Sequence, residues 1–583
     1  MKHLLTIVGV IFTLPLFAQA FEEKAIDFEG MELAPPMNIP LILAGNFGEM
    51  RSNHFHTGLD IKTKGVEGQN LYAIEEGTIS RVRVSPWGYG LAVYIDHPNG
   101  LTSLYAHMKS FSKEIDSLVY SIQKKKEAYV VDEIVLEAGV KVKKGQFIGL
   151  SGNSGSSSAP HLHFEIRETK TEHALNPLKF KCYQQKIKDN TKPTLKGIKI
   201  YAISEEGYMI PGQNKYFPCK YVNGKFLVNN GNPIDASTIA SENSYLAFGF
   251  HVVDKLDAAH NICGVHNTFL SKGDEVLHEQ KTDYINFDHN RFLNSHQDYY
   301  EFKQNRRNIH KNFKTTINDL PIYPVHKSKV NWENAAGNYS FKAFDVHGNL
   351  TKIEFSISMS STAKKANPFD KKEDYYFPHE LNTLMDDNFQ LLFETGSFYE
   401  PLEKIFKVDS NSTYLTPKYQ FSESEIPAQR YFDVRIRVPK DVPLNQKKMG
   451  IGVISDKGYL SYRSGDFVDG WVESTSRSFG TFVLMTDTIA PIIKPLDFNN
   501  GKTISKYRTL ELSIEDNLSG VWKYKAFINE SWVLMEYMRR KKKYVIWLDE
   551  RSKPNLRKGE NKVRIWAVDA EGNESEGVWT VIY

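Results

Sequence analysis

Hydrophobic and polar residues alternate with a period of two along much of this chain, the pattern of strands with one face buried. Residues 91–95 and 102–106 are two such runs, joined by the turn sequence His97-Pro98-Asn99-Gly100. They predict an antiparallel hairpin that sets Tyr105 and His107 on one face, with His97 only a turn residue. A third run, residues 161–167, turns Leu162, Phe164 and Ile166 toward a core. His161, His163, Glu165 and Arg167 then face solvent or a groove. Residues 109–136 break the alternation: they are charged, rich in lysine at 124–126, and look helical from Phe111 to about Tyr129. Alternation returns at residues 431–438. The N-terminus differs again, with a basic Met1-Lys2-His3, an apolar stretch to Phe17, and Ala18-Gln19-Ala20. That order predicts a signal peptide over residues 1–20, export to the periplasm, cell envelope or extracellular space, and a mature chain starting at Phe21. No later segment approaches membrane-spanning length, so no transmembrane segment is expected in the mature chain.

Two stretches share bookends. Asp189 to Pro193 and Asp487 to Pro491 both read D-x-x-x-P, and residues 343–349 and 567–573 both read A-x-D-x-x-G-N. Within them Asp254 and Asp516 each end a strand-like run in acid residues. Repeated strands between turn residues predict related immunoglobulin-like β-sandwiches at 187–362 and 487–583, with a β domain of uncertain type at 366–484. Ahead of them, 21–186 is dense in glycine, histidine and short strands. The expected fold class is mainly β, in an antiparallel N-terminal domain followed by sandwich modules. A length of 583 residues agrees with several cores. A formal net charge of +3 gives no electrostatic case for nucleic acid. Cys182, Cys219 and Cys263 match no metal-binding spacing and read as buried thiols or one optional disulfide.

Chemistry concentrates in three histidine clusters: His54 and His56 before Asp60, then His107, then His161 and His163. One histidine on a strand's polar face is ordinarily solvated; two beside a Gly/Ser-rich loop point to a metal or catalytic site. His56 and Asp60 can converge if Gly58 allows a sharp bend, and one residue of the third cluster makes three ligands. Three ligands leave a position for water, as a catalytic zinc requires, whereas a structural zinc wants four. Spacing does not separate His161 from His163, nor assign His107. The loop at 151–158 has no lysine and leads into a strand, so it reads as a groove wall rather than a phosphate cradle. Arg51 and His54 read equally as substrate contacts or as packing.

The ordered set H-x-G-x-D, Y-A-H and G-x-S-G-x-S-x-x-P-H-L-H-F-E resembles the lysostaphin/LytM-type zinc endopeptidases, over residues 40 to 180. The resemblance implies a LytM-type peptidase fold over 21–186 and a Zn2+ ion on His56, Asp60 and His163. It places His107 and His161 beside the reacting water or the developing oxyanion. It also implies hydrolysis of peptidoglycan peptides. Two departures stand out: Ala159 replaces a glycine usual in the family, and the insertion at 109–138 is expected to flank the groove and to narrow access or bind a partner. Some proteins of this type lose the metal and activate cell-wall amidases instead; here every ligand position is filled. A third reading is an envelope adhesion or scaffold protein, and the C-terminal β modules are candidates for binding an envelope partner.

Overall fold

The computed structural model describes residues 26–240, 243–327, 329–360, 366–442 and 448–583, so the expected signal peptide and its cleavage point lie outside the described residues. The fold is mainly β. In the N-terminal domain the main strands are β1 (Leu43–Gly45), β2 (Leu59–Lys62), β3 (Gly77–Val84), β4 (Leu91–Asp96), β5 (Leu101–Phe111) and β6 (His161–Glu168). They form one antiparallel sheet in the order β1-β2-β6-β5-β4-β3. β6 lies at its centre because both its neighbours bond to it, His163 pairing with Asp60 on one side and Ala106 on the other. Leu162, Phe164 and Ile166 are fully buried, as alternation predicts, and Phe164 packs on Tyr105. Each such side chain contributes roughly 1.5–3 kcal/mol of hydrophobic stabilisation.

The hairpin forms, but Tyr105 and His107 do not share a face. The register between β4 and β5 slips between Leu91 and Val93, and His107 takes a left-handed φ of 57°. This bulge rotates His107 out of the core face that Tyr105 keeps. His97 is not merely a turn residue: it is 5% exposed, and its ring bridges the Glu76 carbonyl and the Ser103 hydroxyl. The helix of the insertion, α1 (Lys113–Lys126), is shorter than its pattern suggests. Phe111 still belongs to β5, and Glu127 leaves the helix with φ 49°. Ile115, Val119 and Gln123, four residues apart, form its buried stripe.

The first downstream module contains β7 (Thr194–Ile203), β8 (Ile234–Asp235), β9 (Tyr245–Val253), β10 (Asn267–Lys272), β11 (Glu275–Lys281), β12 (Ile309–Lys311), β13 (Gly337–Phe344) and β14 (Leu350–Ser358). The last contains β15 (Ile492–Pro495), β16 (Lys502–Thr503), β17 (Thr509–Glu515), β18 (Val521–Ile528), β19 (Ser531–Val533), β20 (Lys543–Trp547), β21 (Glu560–Asp569) and β22 (Glu574–Ile582). The first pairs β7-β9-β12 in one sheet and β8-β14-β13-β10-β11 in the other; the last pairs β15-β17-β20 and β16-β22-β21-β18-β19. These eight strands of each module correspond in order, down to a parallel pairing of the short second strand with the last one, while the first module adds further strands, chiefly the ribbon Met209–Val222 and Lys225–Val228 beside β7, and the last adds Met535–Met538 beside β20. Between them, two five-stranded sheets close on an aromatic core that includes Phe389, Phe393, Phe421, Phe432 and Phe479.

The chain folds back so that the last module meets the first domain through α1. Arg551 bonds Asp116 at 2.5 Å and lies over the Tyr120 ring, and Lys525 pairs with Glu127 at 2.6 Å. The insertion thus docks within its own chain. The three cysteines are free thiols, Cys182 and Cys263 buried. Among the described residues no helix is long and apolar enough to cross a membrane.

Candidate active site

β2 and β6 run side by side, and the segment just before β2 carries His56. The side chains of His56, Asp60 and His163 therefore meet above the centre of the sheet, 2%, 6% and 5% exposed. His56 Nε2 lies 3.0 Å from His163 Nδ1, and Asp60 Oδ1 is 3.1 Å from the first and 2.9 Å from the second. Gly58 makes the approach possible: the chain bends there, as expected, and it also lies tight against the neighbouring strand. A Cβ there would sit 2.4 Å from the Phe164 carbonyl oxygen and 2.9 Å from the Glu165 side chain, so only glycine lets this segment lie against β6.

The surrounding bonds set which nitrogen of each ring faces the centre. His56 Nδ1–H donates to the Asn46 carbonyl at 2.7 Å, leaving Nε2 as a lone pair. His163 Nε2–H donates to Glu165 Oε1 at 2.8 Å, leaving Nδ1. Two nitrogen lone pairs and a carboxylate oxygen thus converge on one point, an arrangement that calls for a cation or a proton. Ligands about 2.0–2.1 Å from a tetrahedral zinc stand roughly 3.3–3.4 Å apart, a few tenths of an ångström beyond the spacings here. His56, Asp60 and His163 can therefore hold a metal ion.

Two further histidines border the cluster. His107 donates from Nδ1 to the Ser154 carbonyl at 2.9 Å, and His161 from Nδ1 to the Ala159 carbonyl at 2.8 Å. Each leaves Nε2 toward the cleft, and their ring centroids are 4.8 Å apart. His161 Nε2 is 3.4 Å from Asp60 Oδ1. Ala159 serves through its carbonyl, so replacing the usual glycine leaves this bond intact.

Electrostatics follow from burial. Burial pushes His56 down to about 4 against the pull of Asp60, and burial, with His163 and His161 nearby, pushes His107 down to about 3. Burial works the same way on His163, but its bonds to Asp60 and Glu165 win and push it up to about 9. Asp60 is buried too, yet the three histidines hold it well below the usual carboxylate range.

Glu165 and Arg167 are on the polar face of β6 as alternation predicts, but they do not reach solvent. Glu165 is fully buried and accepts bonds from Thr57, Tyr89 and Arg167 at 2.6–2.8 Å. Arg167 is covered by the Phe287 ring, 4.3 Å from its guanidinium. Arg51 bonds Asp60 Oδ2 at 2.5 Å, whereas His54 stays exposed and turns to the Ser52 carbonyl.

The cluster lies at the base of a cleft of about 1350 Å³. The Ser156–Ser158 stretch forms one wall, as its sequence suggests. The module after the peptidase region adds Phe287 and Arg291, and the middle domain adds Gln429 and Arg477. From the last module, Arg539 lies over Trp87 and bonds the Gly155 carbonyl, while Arg540 bonds Asn153 and the Ser157 carbonyl. No local sequence signal marked these distant wall residues. Tyr89 was also unmarked, although a buried carboxylate bonded to a buried histidine would need such a donor.

The model for peptidase family M23 matches residues 54–125 and 126–177. Residues 54–177 form an M23 peptidase domain. The Zu5-like domain model matches residues 373–487, which gives a type to the middle domain. Relatives of the M23 domain include the DD-carboxypeptidase/endopeptidase Mpg of Neisseria meningitidis, 33% identical over 112 residues, 19% of this chain and 20% of that protein. The murein hydrolase activator EnvC of Escherichia coli is also 33% identical, over 113 residues, 19% of this chain and 20% of that one. This chain therefore matches about a fifth of the length of these relatives. Similar solved structures include the catalytic domain of the prophage-encoded M23 protein EnpA from Enterococcus faecalis, 26% identical, covering 25% of this chain and 94% of that one, with TM-score 0.19. The catalytic domain of lysostaphin from Staphylococcus simulans is 24% identical and covers 24% of this chain and 91% of that one, with TM-score 0.19.

Proposed function

We propose that this chain is an exported zinc endopeptidase that hydrolyses stem peptides or peptide cross-links of bacterial peptidoglycan, for cell-wall remodelling. The observation that carries this reading is the complete set of five groups: three converging ligand atoms and two histidines with Nε2 open to the cleft. In this reading His56, Asp60 and His163 hold the zinc. When bound, that ion lowers the pKa of a coordinated water toward 7 and polarises the scissile carbonyl.

The protein's own groups do the rest. Glu165 fixes the tautomer and direction of His163, the carboxylate–histidine pairing that strengthens a metal ligand. Arg51 holds the second oxygen of Asp60. His107 and His161 act jointly as proton acceptor and as donor to the oxygen that gains charge, each with its far nitrogen tied to a backbone carbonyl so that the other is free. Arg291 and Arg477, at the rim, suit a substrate with free carboxylates. The matching order of their shared strands supports reading the first and last downstream modules as related immunoglobulin-like sandwiches, the first lining the cleft and the last bracing its Gly/Ser wall.

The similarity to EnvC, named a murein hydrolase activator, keeps a second reading in view: a domain of this fold that stimulates an amidase without cutting. One experiment separates the two. Purified full-length protein is assayed for zinc and incubated with peptidoglycan sacculi, and released fragments are identified by mass. The endopeptidase reading expects one zinc per chain and fragments cut within peptides. A zinc-free protein that releases nothing alone, yet stimulates an added amidase, establishes the other.

A further inference from the structure

Both outer modules gather carboxylates at the end where the chain enters them, and in the first module several of those polar atoms have no partner. Asp189 lies in the entry segment, Asp254 follows β9, and Asp345 opens the hairpin between β13 and β14. They are 7%, 2% and 4% exposed. Asp345 is fully used: Oδ1 accepts the amides of His347 and Asn349, and Oδ2 accepts the Asn349 side chain. Asp189 Oδ2, Asp254 Oδ1 and His347 Nδ1 are buried with no hydrogen-bond partner. His347 donates from Nε2 to the Ile187 carbonyl at 2.6 Å, so Nδ1 is left as a lone pair. Ligand atoms of Asp189, Asp345 and His347 lie within 4.8 Å of one another. Asp254 is near enough that, after burial, Asp345 and Asp189 are the charges that push it up, to about 8.

The last module repeats the pattern. Asp487, Asp516 and Asp569 again bring ligand atoms within 4.8 Å, and Asp516 Oδ1 again has no partner. Turn capping accounts for Asp345 and Asp569. It does not account for the unused oxygens of Asp189, Asp254 and Asp516, because buried carboxylates are ordinarily paired or bound to a cation.

We propose that Asp189, Asp345 and His347, with Asp254 beside them, form a binding site for a divalent cation, Mn2+ on all three groups or Ca2+ on the carboxylates, at the junction between the peptidase domain and the first module. Carboxylate oxygens are the ligands such ions prefer. The same residues already grip the linker: His347 holds the Ile187 carbonyl and Asn349 holds that of Asp189. A cation there joins linker, β9 and hairpin at one point, and so fixes the module that supplies Phe287 and Arg291 to the cleft.

The test uses the zinc-loaded full-length protein, dialysed against Ca2+ or Mn2+ and then against metal-free buffer, with metals counted by mass spectrometry. Tm is measured with and without the added ion. At least one ion beyond zinc is expected, with a rise in Tm of several degrees. In Asp189→Asn the count falls by one and the rise shrinks. In metal-free buffer that variant melts at or above wild type, since one of the crowded carboxylates is gone. Asp516→Asn reports separately on the last module. A wild type that binds neither ion overturns the proposal without recourse to any variant, and so does a count unchanged in Asp189→Asn; in both cases Asp189, Asp345 and His347 are a proton-sharing cluster only.

Discussion

The single residue that decides most is His163. It is a ligand atom in the cluster, a bond donor to Glu165 and a neighbour of His107. Replacing it with alanine leaves two ligands, and both zinc and hydrolysis are expected to be lost. His107→Ala and His161→Ala should keep zinc and lose roughly 10²–10⁴-fold in rate, the range for a positioned proton-transfer group. Metal content and hydrolysis measured on the same three proteins check this; a His161→Ala protein without zinc would reverse the ligand assignment. Glu165→Gln should weaken zinc affinity by roughly 10–100-fold, read by competition with a chelator. Spacing and residue type brought the three histidine clusters and Asp60 into view in the sequence; the choice of His163 over His161, and the place given to His107, came from the family resemblance. The support beneath them was only half legible. Alternation put Glu165 and Arg167 on the right face, but the ring that covers Arg167 is Phe287, more than a hundred residues away. His107 reaches the cleft through a backbone bulge that period-two reasoning cannot contain.

At the scale of elements, the insertion helix was legible from its composition, and its docking partner was not. Asp116, Tyr120 and Glu127 read as solvated positions until the last module is folded against them. Replacing all three with alanine should free that module while leaving each domain folded. Small-angle scattering should then show a larger radius of gyration, with circular dichroism unchanged; an unchanged radius would mean the helix is not what holds the module. Inside the first module the strands carry a different lesson. His278, His296 and His310 are buried and held neutral, His278 and His310 pushed down to about 3 and His296 well below its usual value, burial being the main cause. Such groups contribute stability above the unfolded pKa near 6.5, and it is lost as pH falls toward 3, because the unfolded chain takes up the protons first. At pH 5 His278 and His310 each cost roughly 1–2 kcal/mol. Melting temperature should therefore fall between pH 7.5 and 5. His278 has no partner on either ring nitrogen, so His278→Leu should flatten that slope; an unaltered slope would assign the acid sensitivity elsewhere.

On the scale of the whole molecule, the cleft is a joint product of four folded units, and this was the part least legible in the sequence. The candidate ligands sit within 110 residues of one another, but other lining residues come from positions near 290, 430 and 477, and the Gly/Ser wall is braced from positions 539 and 540. Periodicity describes each strand and says nothing of which surfaces later meet. The turn at Arg539 and Arg540 has a further consequence, in time rather than in space. A chain is made from its N-terminus, at about 5–20 residues per second. The metal-binding cluster is therefore complete long before the residue that clamps its Gly/Ser wall, 384 positions downstream, exists. The wall is therefore finished last, so a translation product interrupted between residues 163 and 539 would carry the cluster with its Gly/Ser wall unclamped, and only a chain that reaches Arg539 and Arg540 has the braced one.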